Sequence, residues 1–430
     1  MLDLQSLALS SATKAMLEVR NFIDRSDRLT LGMNEAGDKF VVRLNDQNAH
    51  FCSRSANQWA EQTPGATRVK KKQEVLGDYW SMQPSIFSVL RISYTWPDDQ
   101  VSFADDLTAA TFANIYMRFV AGEVNARRID QWHTDGLPVE LPLETKADLP
   151  PNSYQTVATM NGIGSNGFLF GMEQGTGKTY PSILVMANEA VRSHKKGDYF
   201  RGLVVCPNNV RLNWCREIDK FSPVPIYPGI VAGDQSKRIA KLVDLFRSGK
   251  EEDGFYGSVA VASYAAAQEI CLVLKHLKIP VHVCAVDESH TIKNPSAAVT
   301  KEMLASRDLF SKRLCLTGTP IGNHLFDLWA QLEFLYPGCS GFTEFAAFKK
   351  YFSKPIPQNA TTEEKLDCLQ NLPMLREILA RNAFIVTKKV ALPYLPEKLF
   401  DVVSIPLSKK QQSAYDTLAE NLALSIKQDL

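Results

Sequence analysis

Residues 167 to 179, Gly-Phe-Leu-Phe-Gly-Met-Glu-Gln-Gly-Thr-Gly-Lys-Thr, run from an apolar stretch into a glycine-rich turn that closes on Lys178 and Thr179. An apolar run of this length reads as a buried strand, and the turn behind it as the entrance to a helix. Such a turn can aim backbone N–H groups and the start of the next helix at a phosphate. Lys178 would neutralise charge there, and Thr179 would offer a hydroxyl to Mg²⁺. The candidate cradle is therefore Met172, Glu173, Gln174, Gly175, Thr176, Gly177, Lys178 and Thr179. Met172 stands where the phosphate-loop pattern has glycine, so the close backbone approach falls to Gly175 and Gly177. A plain strand-to-helix loop is the alternative. Pro181 suits a helix start, since its missing N–H is not needed in the first turn.

A phosphate site that does chemistry needs a carboxylate for the metal ion and a base for the attacking water. The run His282-Val283-Cys284-Ala285-Val286-Asp287-Glu288-Ser289-His290 supplies both at the end of a short apolar segment. Open α/β sheets place their ligands at the C-terminal ends of strands. Asp287 is the candidate Mg²⁺ partner and Glu288 the candidate base; a solvated turn is the plainer reading of an isolated Asp-Glu pair.

Five apolar runs, near 168 to 170, 202 to 206, 258 to 262, 282 to 286 and 312 to 316, alternate with helical periodicity such as 209 to 221 and 236 to 247. That alternation predicts an α/β fold, a parallel sheet with helices on both faces. Each run ends in Gly, Pro, Ser, Asp or Thr, so polar groups should gather along one sheet edge.

The ordered set of motifs resembles the first, RecA-like P-loop lobe of the SNF2 group of superfamily 2 ATPases. Ser153-Tyr154-Gln155 resembles the adenine-sensing glutamine motif. Leu203 to Pro207, followed by Asn213-Trp214, resembles the next strand and its helix. Val259 to Tyr264 resembles a strand with a Ser-Tyr ending. Asp287-Glu288-Ser289-His290 with Ile292-Lys293-Asn294-Pro295 is similar to the group's Asp-Glu-x-His box and its sequel. Leu314 to Asn323, Leu328-Trp329 and Phe334 to Gly338 complete the series. The likeness covers roughly residues 149 to 415.

The resemblance implies a DNA-dependent ATPase of the double-stranded-DNA translocase or remodelling type, with ATP and Mg²⁺ as cofactors. It places Gln155 over the base, Mg²⁺ between Thr179 and Asp287, and catalysis on Lys178, Asp287 and Glu288. DNA-backbone contacts would fall to Asn208, Arg211, Lys293, Thr317, Gly318 and Thr319, with His290 and Asn323 coupling nucleotide state to DNA grip. Little sequence preference is expected of such contacts. A restriction-type translocase shares part of the pattern, but Ile292-Lys293-Asn294 and Asn213-Trp214 argue against it. A nucleotide-gated DNA-binding or recruitment module without turnover is the non-enzyme alternative, opposed by the intact Lys178, Asp287 and Glu288. The form of the phosphate loop looks more like bacterial or phage members of the group.

Hydrophobic content of 45% and charged content of 22% are those of an ordinary globular chain. No stretch approaches a membrane span and the N-terminus lacks a signal-peptide pattern, so no membrane partner and a cytoplasmic location are expected. The eight cysteines form no C-x-x-C pair and read as reduced thiols. Residues 1 to 150 hold 16 Lys and Arg against 20 Asp and Glu, and the remaining 280 hold 32 against 27. The motor part is the more basic, which suits a polyanionic track without requiring one.

Residues 1–136 read as an accessory α+β domain that could offer a protein-partner surface. Strands are expected at 29 to 33, 39 to 44, 75 to 80 and 86 to 96, with helix around 8 to 24 and 104 to 128. Arg68 and Lys70-Lys71-Lys72 near Trp59 and Trp80 form a candidate nucleic-acid strip, and the layout resembles annealing-helicase (HARP) modules. Proline-containing residues 137–151 read as a linker, 152–395 as the ATPase lobe, and 396–430 as the entrance to a second RecA-like lobe that a longer protein or a partner chain would supply.

Overall fold

The computed structural model describes residues 27–37, 39–46, 66–69, 79–96, 101–136, 140–146, 148–247, 254–322, 324–355, 357, 361–396 and 405–428. The chain separates into two compact units, Met1–Ala391 and Leu392–Leu430. The first holds two sheets. β1 (Asp27–Met33), β2 (Phe40–Asp46), β3 (Thr67–Val69), β4 (Tyr79–Met82) and β5 (Val101–Phe103) form the smaller, in the order β3-β4-β2-β1-β5. Alternate residues Leu29, Leu31, Phe40, Val42, Trp80 and Met82 enter one apolar core, as a pleated strand dictates. Helices α1 (Ile86–Thr95) and α2 (Asp106–Asp135) close it with Val89, Ile92, Phe112 and Phe119.

Residues 86 to 96, expected as a strand, are the helix α1. The β-branched and aromatic content of Ile86-Phe87-Ser88-Val89-Leu90-Arg91-Ile92-Ser93-Tyr94-Thr95 favours a strand, but here the local start signal decides. Ser85 accepts from Ser88 N while the Ser88 hydroxyl accepts from Ser85 N, a reciprocal capping box. The helix expected around 104 to 128 runs on to Asp135, capped by Asp105 and ended by Gly136 in the left-handed region. Trp80 is 4% exposed in the small core and offers no stacking platform. The expected helix at 8 to 24, together with Trp59 and Lys70 to Lys72, lies outside the described residues.

The larger sheet comprises β6 (Gly167–Met172), β7 (Phe200–Cys206), β8 (Ile226–Val231), β9 (Gly257–Ser263), β10 (Val281–Asp287), β11 (Phe310–Leu316) and β12 (Ala383–Val386). They lie in the order β12-β6-β11-β10-β7-β9-β8, and every recorded pairing is parallel. The connecting helices are α3 (Ser153–Gly164), α4 (Thr179–His194), α5 (Arg211–Phe221), α6 (Gln235–Phe246), α7 (Tyr264–Leu277), α8 (Ala298–Ala305) and α9 (Asp327–Leu335). They cover both faces, an α/β RecA-like lobe preceded by a small sheet module. The chain then forms α10 (Phe345–Phe352), α11 (Thr362–Asp367), α12 (Leu372–Asn382) and α13 (Lys388–Ala391). In the second unit α14 spans Lys409–Gln428, with Tyr415 and Leu418 exposed.

Among the described residues, the small module is stitched to the lobe along α2 and at the start of α1. Along α2, Glu123 pairs with Arg381 of α12, whose guanidinium lies 4.8 Å from the Phe119 ring centre. Arg128 donates to Asn161 at 2.5 Å and Asn125 to Ser165 at 2.7 Å. At the start of α1, Phe87 meets Phe342 with ring centres 5.3 Å apart, over the turn that follows α9.

Glu333 holds that turn in shape: both its carboxylate oxygens accept from Gly338 N at 3.0 Å, and Ser340 also donates to it. Burial pushes the Glu333 carboxyl up to about 8. Because the folded value exceeds the ordinary one, the folded protein binds the proton more tightly. Its contribution is full below the usual glutamate range and is lost as pH rises through about 8. Glu333→Gln keeps a neutral side chain, so its melting temperature should gain on the wild type between pH 5.5 and pH 8.5, by roughly a few degrees. Thermal melts across that range check this; parallel curves would contradict it.

Candidate active site

Parallel register brings the strand ends level. Phe170 of β6 lies opposite Leu316 of β11, Leu316 opposite Asp287 of β10, and Val286 opposite Val205 of β7. The residues just beyond, Gly171 to Thr179, Thr317 to Pro320, Glu288 to His290 and Pro207 to Arg211, therefore share one edge of the sheet.

Gly175 and Gly177 turn the phosphate loop with φ of +88° and +74°, values that side-chain-bearing residues rarely adopt. The loop is braced from α3. Tyr154 donates its hydroxyl to Thr176 O at 3.0 Å, and Gln155 Nε2 donates to Thr176 O at 3.3 Å and Gly177 O at 3.4 Å. The half-buried Lys178 ammonium meets Glu288 Oε1 at 2.9 Å across 110 residues of sequence. Met172 is fully buried at the end of β6, while Gln174 is exposed on the turn.

Asp287 is held from two sides: Trp214 Nε1 donates to Oδ2 at 2.9 Å and Glu288 N donates to Oδ1 at 3.0 Å. Burial pushes its carboxyl above the usual range, opposed by the Trp214 bond and the Lys178 charge. Glu288 sits at φ +51°, the left-handed region, and the Tyr264 hydroxyl donates to the carbonyls of Asp287 and Glu288. Such strained non-glycine backbone concentrates at functional sites. His290 Nδ1 lies 3.3 Å from Thr317 Oγ1 and 3.4 Å from Glu288 Oε2.

Beside the loop is a cavity of about 320 Å³ whose lining includes Leu149, Pro150, Gly177, Tyr180, Glu217 and Phe221. Tyr180 and Phe221 stack in its wall, ring centres 4.6 Å apart. This apolar slot continues from Gly177 and Thr179 and suits a planar base. Gln155 borders it, but its Oε1 accepts from Asn152 N at 3.0 Å and its Nε2 is spent on the loop. Its carboxamide braces the loop beside the cavity that it helps to line. The structure thus brings Leu149 and Pro150, expected only as linker, into the cavity wall, along with Tyr180 and Phe221.

The candidate DNA contacts divide. Asn208 and Thr319 are exposed at the strand-end edge. Arg211 is half-buried and donates to Asn208 O at 3.2 Å and Val231 O at 3.5 Å. Lys293 is paired with Asp327 at 3.3 Å. Thr317 is fully buried, accepting from Thr319 N, and its hydroxyl cannot reach a surface ligand; Gly318 is half-exposed between them. Asn323 lies outside the described residues. A link that the motifs do not reveal is Gln331, fully buried, which accepts from Ser289 at 2.7 Å and donates to Pro320 O at 2.9 Å. It ties the loop after β10 to the loop after β11.

Among the described residues no cluster of three His, Cys, Asp or Glu could cage a metal. Mg²⁺ does not need one: it keeps waters and binds through one or two protein oxygens plus phosphate. The Thr179 hydroxyl at the start of α4 and the Asp287 carboxylate are a fitting hard-oxygen set.

A parallel sheet with a glycine-rich loop closing on Lys-Thr after one strand, and an Asp-Glu pair at the end of the next strand but one, defines a P-loop ATPase lobe. The chain belongs to the family of the SNF2-related domain, whose model matches residues 39–429. Curated relatives include the helicase SWR1 of Yarrowia lipolytica, 30% identical over 253 residues, which are 57% of this chain and 13% of that protein. The Candida albicans helicase SWR1 is 28% identical over 308 residues, 65% of this chain and 18% of its own length. The chain thus spans less than a fifth of the length of either relative. Among solved structures, a Sulfolobus solfataricus SWI2/SNF2 ATPase core in complex with dsDNA aligns at 26% identity and a TM-score of 0.45, covering 68% of this chain and 56% of that one. ATP hydrolysis with Mg²⁺ in a DNA-dependent motor is the general property of this family. Fungal relatives lend no support to a bacterial or phage type.

Trp214→Phe removes the indole donor to Asp287 and leaves that carboxylate less well satisfied. We expect a stability loss of roughly 1–3 kcal/mol, read by chemical denaturation; unchanged stability would show that the Trp214 bond does nothing to hold the buried Asp287.

Proposed function

We propose that the chain comprises an accessory module and the first ATPase lobe of an ATP-dependent motor that translocates along double-stranded DNA. The observation that carries this reading is the convergence of Lys178 with Asp287 and Glu288 beside the phosphate loop and its base-sized cavity. Relatives named as helicases support a nucleic-acid track. We take residues 1–136 as the accessory module, 137–151 as the connecting segment, 152–395 as the lobe and 396–430 as the entrance to a second RecA-like lobe, the expected partner that completes the motor.

In this reading the base lies in the slot of Leu149, Pro150, Tyr180 and Phe221, and the phosphates lie over Gly175 to Lys178. Thr179 and Asp287 would hold Mg²⁺, which would supply charge neutralisation at the phosphates. Lys178 binds the phosphate chain, and in doing so it releases Glu288. A released Glu288 carboxylate is free to accept a hydrogen bond from the attacking water, so the 2.9 Å pair acts as a catch against idle hydrolysis. His290 touches both Glu288 and Thr317, and Gln331 bridges the same two loops, which gives a route from nucleotide to the β11 end. DNA backbone is gripped by the exposed Asn208 and Thr319 with Gly318, with Arg211 and Lys293 recruited from their present partners, and Thr317 acting as the relay beneath them.

Glu288→Gln should keep Mg²⁺-ATP binding and lower hydrolysis by about 10² to 10⁴, while Lys178→Ala should lose both. Steady-state phosphate release and nucleotide titration, on a longer protein that includes the second lobe and with duplex DNA, read the two effects apart. Normal turnover in Glu288→Gln would assign the base elsewhere. The 430-residue chain alone should hydrolyse ATP slowly and with little stimulation by duplex, because related phosphoryl-transfer sites owe about 10³ to 10⁵ of rate to an arginine from outside the loop. Brisk DNA-stimulated turnover by this chain would show that its catalytic set is already complete.

A further inference from the structure

Lys178 reaches the phosphate loop from the loop itself, and Asp287 and Glu288 reach it from β10 on one side of β6. On the other side of β6 lies β12, with Val386 opposite Met172. The pairing continues beyond the strands: Glu173 N donates to Val386 O at 3.1 Å, and Lys388 N donates to Glu173 Oε2 at 2.6 Å. Glu173 is thereby engaged at the flank of the loop, and Lys388 is fixed in register with it.

The Lys388 side chain folds back over Gly175. A Cβ placed on Gly175 would lie 2.9 Å from Lys388 Nζ and 3.3 Å from its Cε. An ammonium therefore rests against the backbone of the very turn that faces phosphate, and among the described residues no carboxylate is recorded as its partner. The Lys388 side chain is half-buried there, so its ammonium is held at the turn, where a bound anion would have it as a counter-charge. The support beneath it is firm: β12 continues from α12, whose Arg381 is clamped by Glu123 and Phe119.

We propose that Lys388 is a second phosphate-binding cation of this loop, engaging the phosphate chain of a nucleoside di- or triphosphate from the flank opposite Asp287. The proposal rests on the reading of the loop as a nucleotide site. It makes β12, and through it the docking of α2 on α12, part of the nucleotide pocket.

The test uses the whole 430-residue chain, with Mg²⁺-ATP and Mg²⁺-ADP dissociation constants measured by titration for wild type, Lys388→Met, Lys388→Arg and Lys178→Ala. Methionine keeps the length and packing of the stem and removes only the charge. Lys388→Met should weaken both nucleotides about five- to tenfold, Lys388→Arg should stay within about twofold, and the Met deficit should shrink at about 0.5 M salt. Lys388→Met binding both nucleotides as wild type does, while Lys178→Ala has lost them, would overturn the proposal and leave the site intact. Unchanged binding in Lys178→Ala would overturn the nucleotide-site reading and this proposal with it.

Discussion

The ion pair between Lys178 and Glu288 is the point on which the site turns. It is possible only because β6 and β10, separated by β11, end at the same level of a parallel sheet. Without that register the loop ammonium and the carboxylate would sit on different edges, and neither has chemistry alone. Two further constraints are layered on it. Asp287 is buried at a cost that Trp214 partly offsets, and Glu288 is held in a left-handed backbone conformation by Tyr264 below it. The pair is therefore a pre-set contact at a half-buried edge, where charge interactions are stronger than on an open surface.

Much of this was legible in the sequence, for a physical reason. Strands β6, β7, β9, β10 and β11 are inner strands buried on both faces, and the apolar runs at 168–170, 203–206, 259–262, 283–286 and 314–316 stand out from their surroundings even though β11 also buries Lys312 and Arg313. The edge strands do not. β8 contains Pro228 and Gly229, which read as a turn, yet an edge strand tolerates a proline because one side of its ladder is unpaired. β12 is four residues long at the opposite edge and offers too short a pattern. The helix α1 was hidden by its β-branched and aromatic residues, Ile86, Phe87, Val89, Ile92, Tyr94 and Thr95, although the Ser85 and Ser88 cap was there to be read.

The same contrast holds within the site. Lys178, Thr179, Asp287 and Glu288 are local motifs, each announced by the strand before it. Trp214 as the donor to Asp287, Gln331 as the bridge between two loops, and Lys388 over Gly175 depend on packing between segments far apart in sequence, and no local pattern marks them. Gln155 shows the converse: its motif was visible and its amide braces the loop backbone, while the cavity beside it is also lined by Leu149, Pro150, Tyr180 and Phe221, which no motif marks.

If the edge is a nucleotide site, binding must order the loop that frames it. Hydrogen–deuterium exchange of the full chain, with and without Mg²⁺-ATP, measures this directly. The account predicts slowed exchange at the amides of Glu173 to Thr179, and a change at Glu288 to His290 as Lys178 leaves its partner. Exchange in both segments that is identical with and without saturating Mg²⁺-ATP would contradict it.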